Sequence, residues 1–154
     1  MVETPETRRL RSSKKPQPTL LYESVPDGQL AGEVLKRSKP LSVPADGILF
    51  REEATPNGVF FVRSGSVTLT MRLASRKILR ARAEAGSLLG LPSTVSGKPY
   101  SMSAKACSKA EIEHLSRDNY RELMQSRPDL SINVLKILAN EVRAAREALA
   151  EILG

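Results

Sequence analysis

Between residues 66 and 73 polar and apolar side chains alternate. Val67, Leu69, Met71 and Leu73 are apolar, and Ser66, Thr68, Thr70 and Arg72 are polar. A period of two places alternate side chains on opposite faces of an extended chain, so the pattern predicts a strand with one buried face. Leu79, Ala81 and Ala83 alternate in the same way with Arg80 and Arg82, and Ala74-Ser75-Arg76 supplies a turn between the two runs. Together they predict a hairpin. From Leu41 to Leu115 glycines at 47, 58, 65, 86, 90 and 97 punctuate short apolar stretches. Many short strands separated by turns imply a barrel, sandwich or roll.

The period changes on either side of this region. Leu30, Val34 and Leu35 lie at helical spacing within Gln29–Lys36, and Lys39-Pro40 ends that helix. Ser116 is placed to cap a helix in which Tyr120, Leu123 and Met124 share a face. Arg127-Pro128 suits the start of a last helix running to Leu153, because proline at the first helical position loses no needed hydrogen bond. Leu135, Leu138, Val142, Ala145, Leu149 and Ile152 then alternate spacings of three and four. Polar residues, Glu141 among them, fill the intervals. That is a heptad seam, and it predicts a helix that pairs with a second copy of itself. Ile132 and Ile137 widen the apolar stripe at the start of the helix, where packing on the β region is expected.

Residues 1–25 carry Pro5, Pro16 and Pro18 and no period, so they are expected to form a tail. The expected organisation is therefore a tail over 1–25, a β-roll with short flanking helices over 26–127, and a dimerisation helix over 128–154. Composition agrees with one domain plus tails: 154 residues, 40% hydrophobic but only 4% aromatic, so the core must be aliphatic. The net charge is +7, and Arg8, Arg9, Arg11, Lys14 and Lys15 concentrate part of it in the tail. Such an arm is a candidate for weak, non-specific nucleic-acid binding, with a solvated tail as the alternative.

The longest apolar run, Val59-Phe60-Phe61-Val62, is too short to cross a membrane, and the N-terminus lacks a secretory pattern. A cytoplasmic protein without a membrane partner is expected. Cys107 and His114 are the only residues of their kinds, which leaves no spacing for a metal site or a disulfide. Cys107 is expected as a small buried hydrophobe, and His114 as a packed strand residue on the face of Ile112. No nucleophile motif or phosphate loop occurs. An enzyme is not expected.

The stretch Gly86-Ser-Leu-Leu-Gly90-Leu-Pro-Ser-Thr-Val-Ser-Gly97-Lys-Pro-Tyr100-Ser-Met-Ser-Ala-Lys-Ala106 carries a glycine turn, a glycine opening a short helix, a second turn and a hydroxyl-bearing strand. It resembles the phosphate-binding cassette of a cyclic-nucleotide-binding domain. Val43–Glu52 and Val59–Val67 resemble two strands and glycine turns of the same family, and Arg117-Asp118-Asn119-Tyr120 resembles the opening of the helix after its roll. With the long heptad helix, the order of parts over about residues 38–153 is similar to the sensor domain of Crp/Fnr-type bacterial transcription regulators. The resemblance implies a mainly β fold with flanking helices: a double-stranded, jelly-roll-like β-helix followed by a C-terminal dimerisation helix.

It also implies a ligand site, for which the candidates are Leu89, Gly90, Leu91, Ser93, Lys98, Tyr100 and Ser101. Two positions depart from the family. Its acid would follow Gly90, where Leu91 stands; its arginine would precede Ser101, where Tyr100 stands. The arginine pairs with the cyclic phosphate and the acid accepts the ribose hydroxyl. Losing these contacts should cost about 1.5–3 and about 0.5–1.5 kcal/mol, or roughly two to three decades of affinity. Cyclic nucleotide as a ligand is therefore disfavoured, no other cofactor is implied, and an effector other than cyclic AMP is expected. Full-length regulators of this type continue into a winged helix-turn-helix beyond the long helix, whereas this sequence stops at Gly154. Sequence-specific DNA binding by that route is not expected of this chain. The expectation is a homodimeric, non-enzymatic sensor acting on a protein partner in transcription regulation. The alternative is a vestigial, ligand-free dimerisation module that modulates full-length relatives.

Overall fold

The computed structural model describes residues 20–74, 76 and 78–153, with side chains through residue 151. In chain order the elements are β1 (Leu20–Leu21), α1 (Gly28–Arg37), β2 (Lys39–Val43), β3 (Ile48–Phe50), β4 (Gly58–Ser64), β5 (Val67–Arg72), β6 (Ile78–Ala83) and β7 (Leu88–Leu89). There follow α2 (Leu91–Ser96), β8 (Ser103–Ala106), β9 (Ala110–Ser116), α3 (Arg117–Ser126), a 3-10 turn (Pro128–Leu130) and α4 (Ser131–Leu153). Two sheets form, in the orders β1-β6-β5-β8-β3 and β2-β9-β4-β7. The predicted hairpin is β5–β6, with Leu69 opposite Ala81 and Val67 opposite Ala83.

The apolar run in β4 has a topological cause. Phe60 and Val62 point into the core between the sheets, with Phe50, Val67, Leu69 and Ile112. Val59 and Phe61 point the other way, into a second core where α1, α3 and the start of α4 cover the four-stranded sheet. A strand buried on both faces needs no polar alternate positions. Ser116 caps α3 as expected, its hydroxyl accepting the Asn119 N–H at 3.1 Å. Gly58 is required where β4 begins: its φ is +128°, and a Cβ there would lie 2.0 Å from Leu115 O.

Three expectations change. Residues 20–25 are not all tail, because β1 pairs in parallel with β6, Leu20 opposite Ala81 and Leu21 opposite Arg82. Cys107 is exposed, not buried: Ala104 and Ala106 take the inward positions of β8, so the next alternation turns Cys107 outward, 2.7 Å from Thr68 Oγ1. On α4, Ile137 packs inward with Val134, but Ile132 is 61% exposed. His114 is a packed strand residue, stacked on Phe60 with ring centroids 4.6 Å apart.

Candidate functional site

The cassette is held from both ends. Gly86 N–H donates to Val62 O at 2.7 Å and Val62 N–H to Ser87 O at 2.9 Å, and β7 then pairs with β4. Gly90 turns the chain into α2 with φ +82°. A Cβ at this position would lie 3.1 Å from the Tyr100 ring and 3.2 Å from Gly58 O. Glycine therefore serves both the left-handed backbone and the close approach of three segments. Gly97, also left-handed, closes α2 by donating its N–H to Ser93 O at 2.8 Å.

Tyr100, where the resemblance calls for arginine, is a wedge. It is 2% exposed and stacks on Phe50 with centroids 4.2 Å apart. Its hydroxyl lies 2.8 Å from both Gly58 O and Asn57 Oδ1, donating to one at a time, and accepts the Asn57 N–H at 3.0 Å. Burial raises its pKa, partly opposed by those backbone contacts. The phenol is consumed by the fold and presents no charge.

Of the seven candidate ligand residues, Gly90, Ser93, Tyr100 and Ser101 line one cavity. Leu89 belongs to the core between the sheets and Leu91 to the second core, both fully buried. Leu91 is thus not an empty ligand position but a packing residue. Lys98 is exposed and does not line the cavity. The arm residues Arg8, Arg9, Arg11, Lys14 and Lys15 lie outside the described residues.

Sequence reasoning missed the six other lining residues: Tyr22, Phe50, Leu69, Pro92, Met102 and Glu141. Tyr22 follows β1, and the short apolar run Leu20-Leu21-Tyr22 was the available signal. Glu141 projects from α4, seven residues after buried Val134 and seven before buried Ala148. That spacing places it on the helix face turned to the fold. The Tyr22 hydroxyl donates to Glu141 Oε1. Burial raises the Glu141 pKa, while the hydrogen bond from Tyr22, and Ser24 beside it, oppose the rise. Burial, and then the Glu141 charge, push the Tyr22 phenol well above its ordinary value. Among the described residues the lining contains no lysine or arginine.

The cavity measures about 30 Å³. This holds about a water or two, whereas small-molecule pockets run to roughly 300–1,000 Å³. Among the described residues no cluster of three His, Cys, Asp or Glu side chains is placed for a metal, and no helix is long and apolar enough to cross a membrane.

The family model for a cyclic nucleotide-binding domain matches residues 40–127, from β2 through the end of α3. The chain belongs to that family. Among solved structures, the Thermus thermophilus catabolite activator protein superposes with a TM-score of 0.71 at 23% identity, covering 81% of this chain and 59% of that one. A cyclic nucleotide-binding domain from Methylobacillus flagellatus superposes with a TM-score of 0.65 at 27% identity, covering 77% and 67%. The neuropathy target esterase sws of Drosophila ananassae is 27% identical over 128 residues, 77% of this chain but 8% of its own length. The chain thus spans under two thirds of the activator protein and less than a tenth of the esterase. The fold is the cyclic nucleotide-binding fold, structurally like the sensor domains of Crp/Fnr-type regulators, with a C-terminal helix of 23 residues.

The family's ligand does not fit the residues present. The described lining offers a cyclic phosphate no cation, only the Ser93 and Ser101 hydroxyls and the backbone at Gly90, and its one carboxyl, Glu141, would repel it. The volume left by Tyr22 and Tyr100 is about a tenth of what a nucleotide needs.

Proposed function

We propose that this domain is a non-enzymatic sensor whose pocket takes an effector other than cyclic AMP, and that α4 carries the signal to a second copy and to a transcription-related protein partner. The observation behind the proposal is Glu141. It lines the cavity and belongs to the helix that bears an exposed apolar stripe, so occupancy of the pocket bears directly on α4.

That stripe is Leu135, Val142 and Leu149, 64%, 58% and 37% exposed and seven residues apart, with Ile132 beside it. Leu138, the second expected seam residue, is half-buried against the second core, and Ala145 is half-buried as well. Among the described side chains the seam therefore has an open row, Leu135, Val142 and Leu149, and a row partly shared with the fold, Leu138 and Ala145; Ile152 lies outside them. Pairing about a two-fold axis would bury the open row.

A thermal-shift screen against cyclic AMP, cyclic GMP, cyclic dinucleotides and small apolar metabolites tests the sensor reading. A true effector at a hundred times its Kd stabilises by about 2.7 kcal/mol, a shift of several degrees for a domain of this size. The reading expects a shift with an uncharged compound and none with the nucleotides. The small cavity favours a second reading, a ligand-free dimerisation module. No shift with any compound, combined with hetero-association through α4, would support that reading instead.

A further inference from the structure

We propose that Tyr22 is a tethered occupant of the cassette pocket, received there by Glu141, and that the effector is a small uncharged aromatic hydroxyl compound that takes its place. The inference rests on the reading of this pocket as the effector site and names its ligand class.

The segment 20–24 is a strap from one sheet to the other. Leu20 and Leu21 pair with the outer edge of β6, and Tyr22 N–H donates to Arg82 O at 2.8 Å. Two residues later Ser24 O accepts the Leu88 N–H at 2.7 Å. Between these anchors the Tyr22 ring packs on the core between the sheets and its hydroxyl reaches Glu141. The first anchor is slight: a two-residue strand at a sheet edge, with Leu21 56% exposed. The second can hold while the first lets go.

The receiving surface has a definite chemistry. Phe50 and Tyr100 form a stacked aromatic wall, and Leu69 and Met102 add apolar surface. At the α4 side stands a carboxylate whose described surroundings are Tyr22 and Ser24, with no cation. A half-buried carboxylate with no cation beside it still favours a donor and repels an anion. Ser24 Oγ, 1% exposed and beside the same pair, makes no hydrogen bond of ordinary geometry. It is a second polar atom there for a ligand to satisfy. With Tyr22 in place the remaining cavity cannot admit a ring; with Tyr22 withdrawn it gains the space of one.

The probe is p-cresol, the tyrosine side chain cut at Cβ, titrated calorimetrically into the full chain. Tyr22→Ala should bind p-cresol at least tenfold more tightly than the wild type. Adding Glu141→Leu should remove that gain, and 4-methylbenzoate, its anionic counterpart, should bind at least tenfold more weakly than p-cresol. A folded Tyr22→Ala protein with wild-type affinity overturns the proposal, as does affinity indifferent to Glu141 or to the ligand's charge. If Tyr22→Ala does not fold, hydrogen exchange on the wild type and Tyr22→Phe decides. Saturating p-cresol, or loss of the hydroxyl, should speed exchange at residues 20–22 severalfold while the Leu88 amide stays protected; unchanged exchange overturns the proposal. Spin labels at Glu147 separate this inference from the sensor reading. If p-cresol binds through Glu141 but the distance between labels in the dimer stays fixed, the tethered occupant stands and the sensor reading falls. If p-cresol fails while another compound in the screen moves the labels, the reverse holds.

Discussion

Replacing Val142 with glutamate should separate the proposed dimer without unfolding the domain. Leu135, Val142, Leu149 and Ile132 are 64%, 58%, 37% and 61% exposed in the single chain. Together they leave the surface of about two whole apolar side chains per protomer to bury, or about four across a two-fold pair. At roughly 1.5–3 kcal/mol for each side chain, the gross gain is about 6–13 kcal/mol. Lost translational and rotational freedom opposes this by at least about 4 kcal/mol. The favourable end of that range corresponds to about micromolar affinity, and the pair is expected to be well populated by several hundred micromolar. Val142→Glu removes more than half of a valine burial from each protomer and places two carboxylates near the axis. The expected cost is about 2–4 kcal/mol, a weakening of roughly 30- to 1,000-fold. Because Val142 makes little contact in its own chain, folding stability should change by only about 0.5 kcal/mol. Sedimentation equilibrium over a concentration series, with a circular-dichroism melt as the control, reads both quantities. A wild type that stays monomeric at several hundred micromolar refutes the reasoning. So does a variant that pairs with wild-type affinity, or one that unfolds, since unfolding would place Val142 in its own core.

Four other outcomes follow from the packing. Leu91→Glu should destabilise the fold by more than about 3 kcal/mol in urea unfolding, because Leu91 is fully buried in the second core and a carboxylate there has no partner; a neutral result would restore Leu91 to the ligand site. Gly90→Ala should cost about 1–3 kcal/mol from its left-handed backbone and its contacts at 3.1 and 3.2 Å, and a change below about 0.5 kcal/mol would be inconsistent with that geometry. Tyr100→Phe should cost about 1–3 kcal/mol by leaving Gly58 O and the Asn57 amide without their partner; a stabilised variant would show that the wedge is apolar only. Glu141→Gln tests the pH dependence. A carboxyl whose folded pKa is raised holds its proton more tightly when folded, so its contribution is complete below the ordinary carboxylate range and is lost as pH rises through the raised value. The melting temperature of Glu141→Gln relative to wild type should therefore climb from acid to neutral pH, and a flat difference would refute the assigned direction.

Much of the fold was legible because it is written in local periods. The period of two in β5 and β6 indicated the hairpin and the Ser116 cap marked the start of α3, whereas Pro128, read as the first position of the last helix, opens a 3-10 turn three residues before α4 begins. The run Val59–Val62 was read only as too short to cross a membrane; the reason for it, a strand between two cores, exists only once α1 and α3 are in place. The site was less legible, for related reasons. A two-residue strand has no period, so β1 and Tyr22 could not be told from a tail. Leu91 reads as an absent acid when aligned by motif, yet it packs away from the pocket. Glu141 reads as a polar residue between seam positions until Val134 and Ala148 show which face of α4 meets the fold. The seam itself was legible as a pattern. Its division into an open row and a shared row depends on where the helix lies against the second core.

Calorimetric titration of the full chain with cyclic AMP tests the central claim most directly, namely that this family member has built its pocket against the family's ligand. With Tyr100 wedged between Phe50 and Gly58, Leu91 in the core and Glu141 facing the cavity, the account predicts no saturable heat at millimolar nucleotide. A micromolar Kd that is lost on substituting a cassette residue such as Ser101 would contradict it.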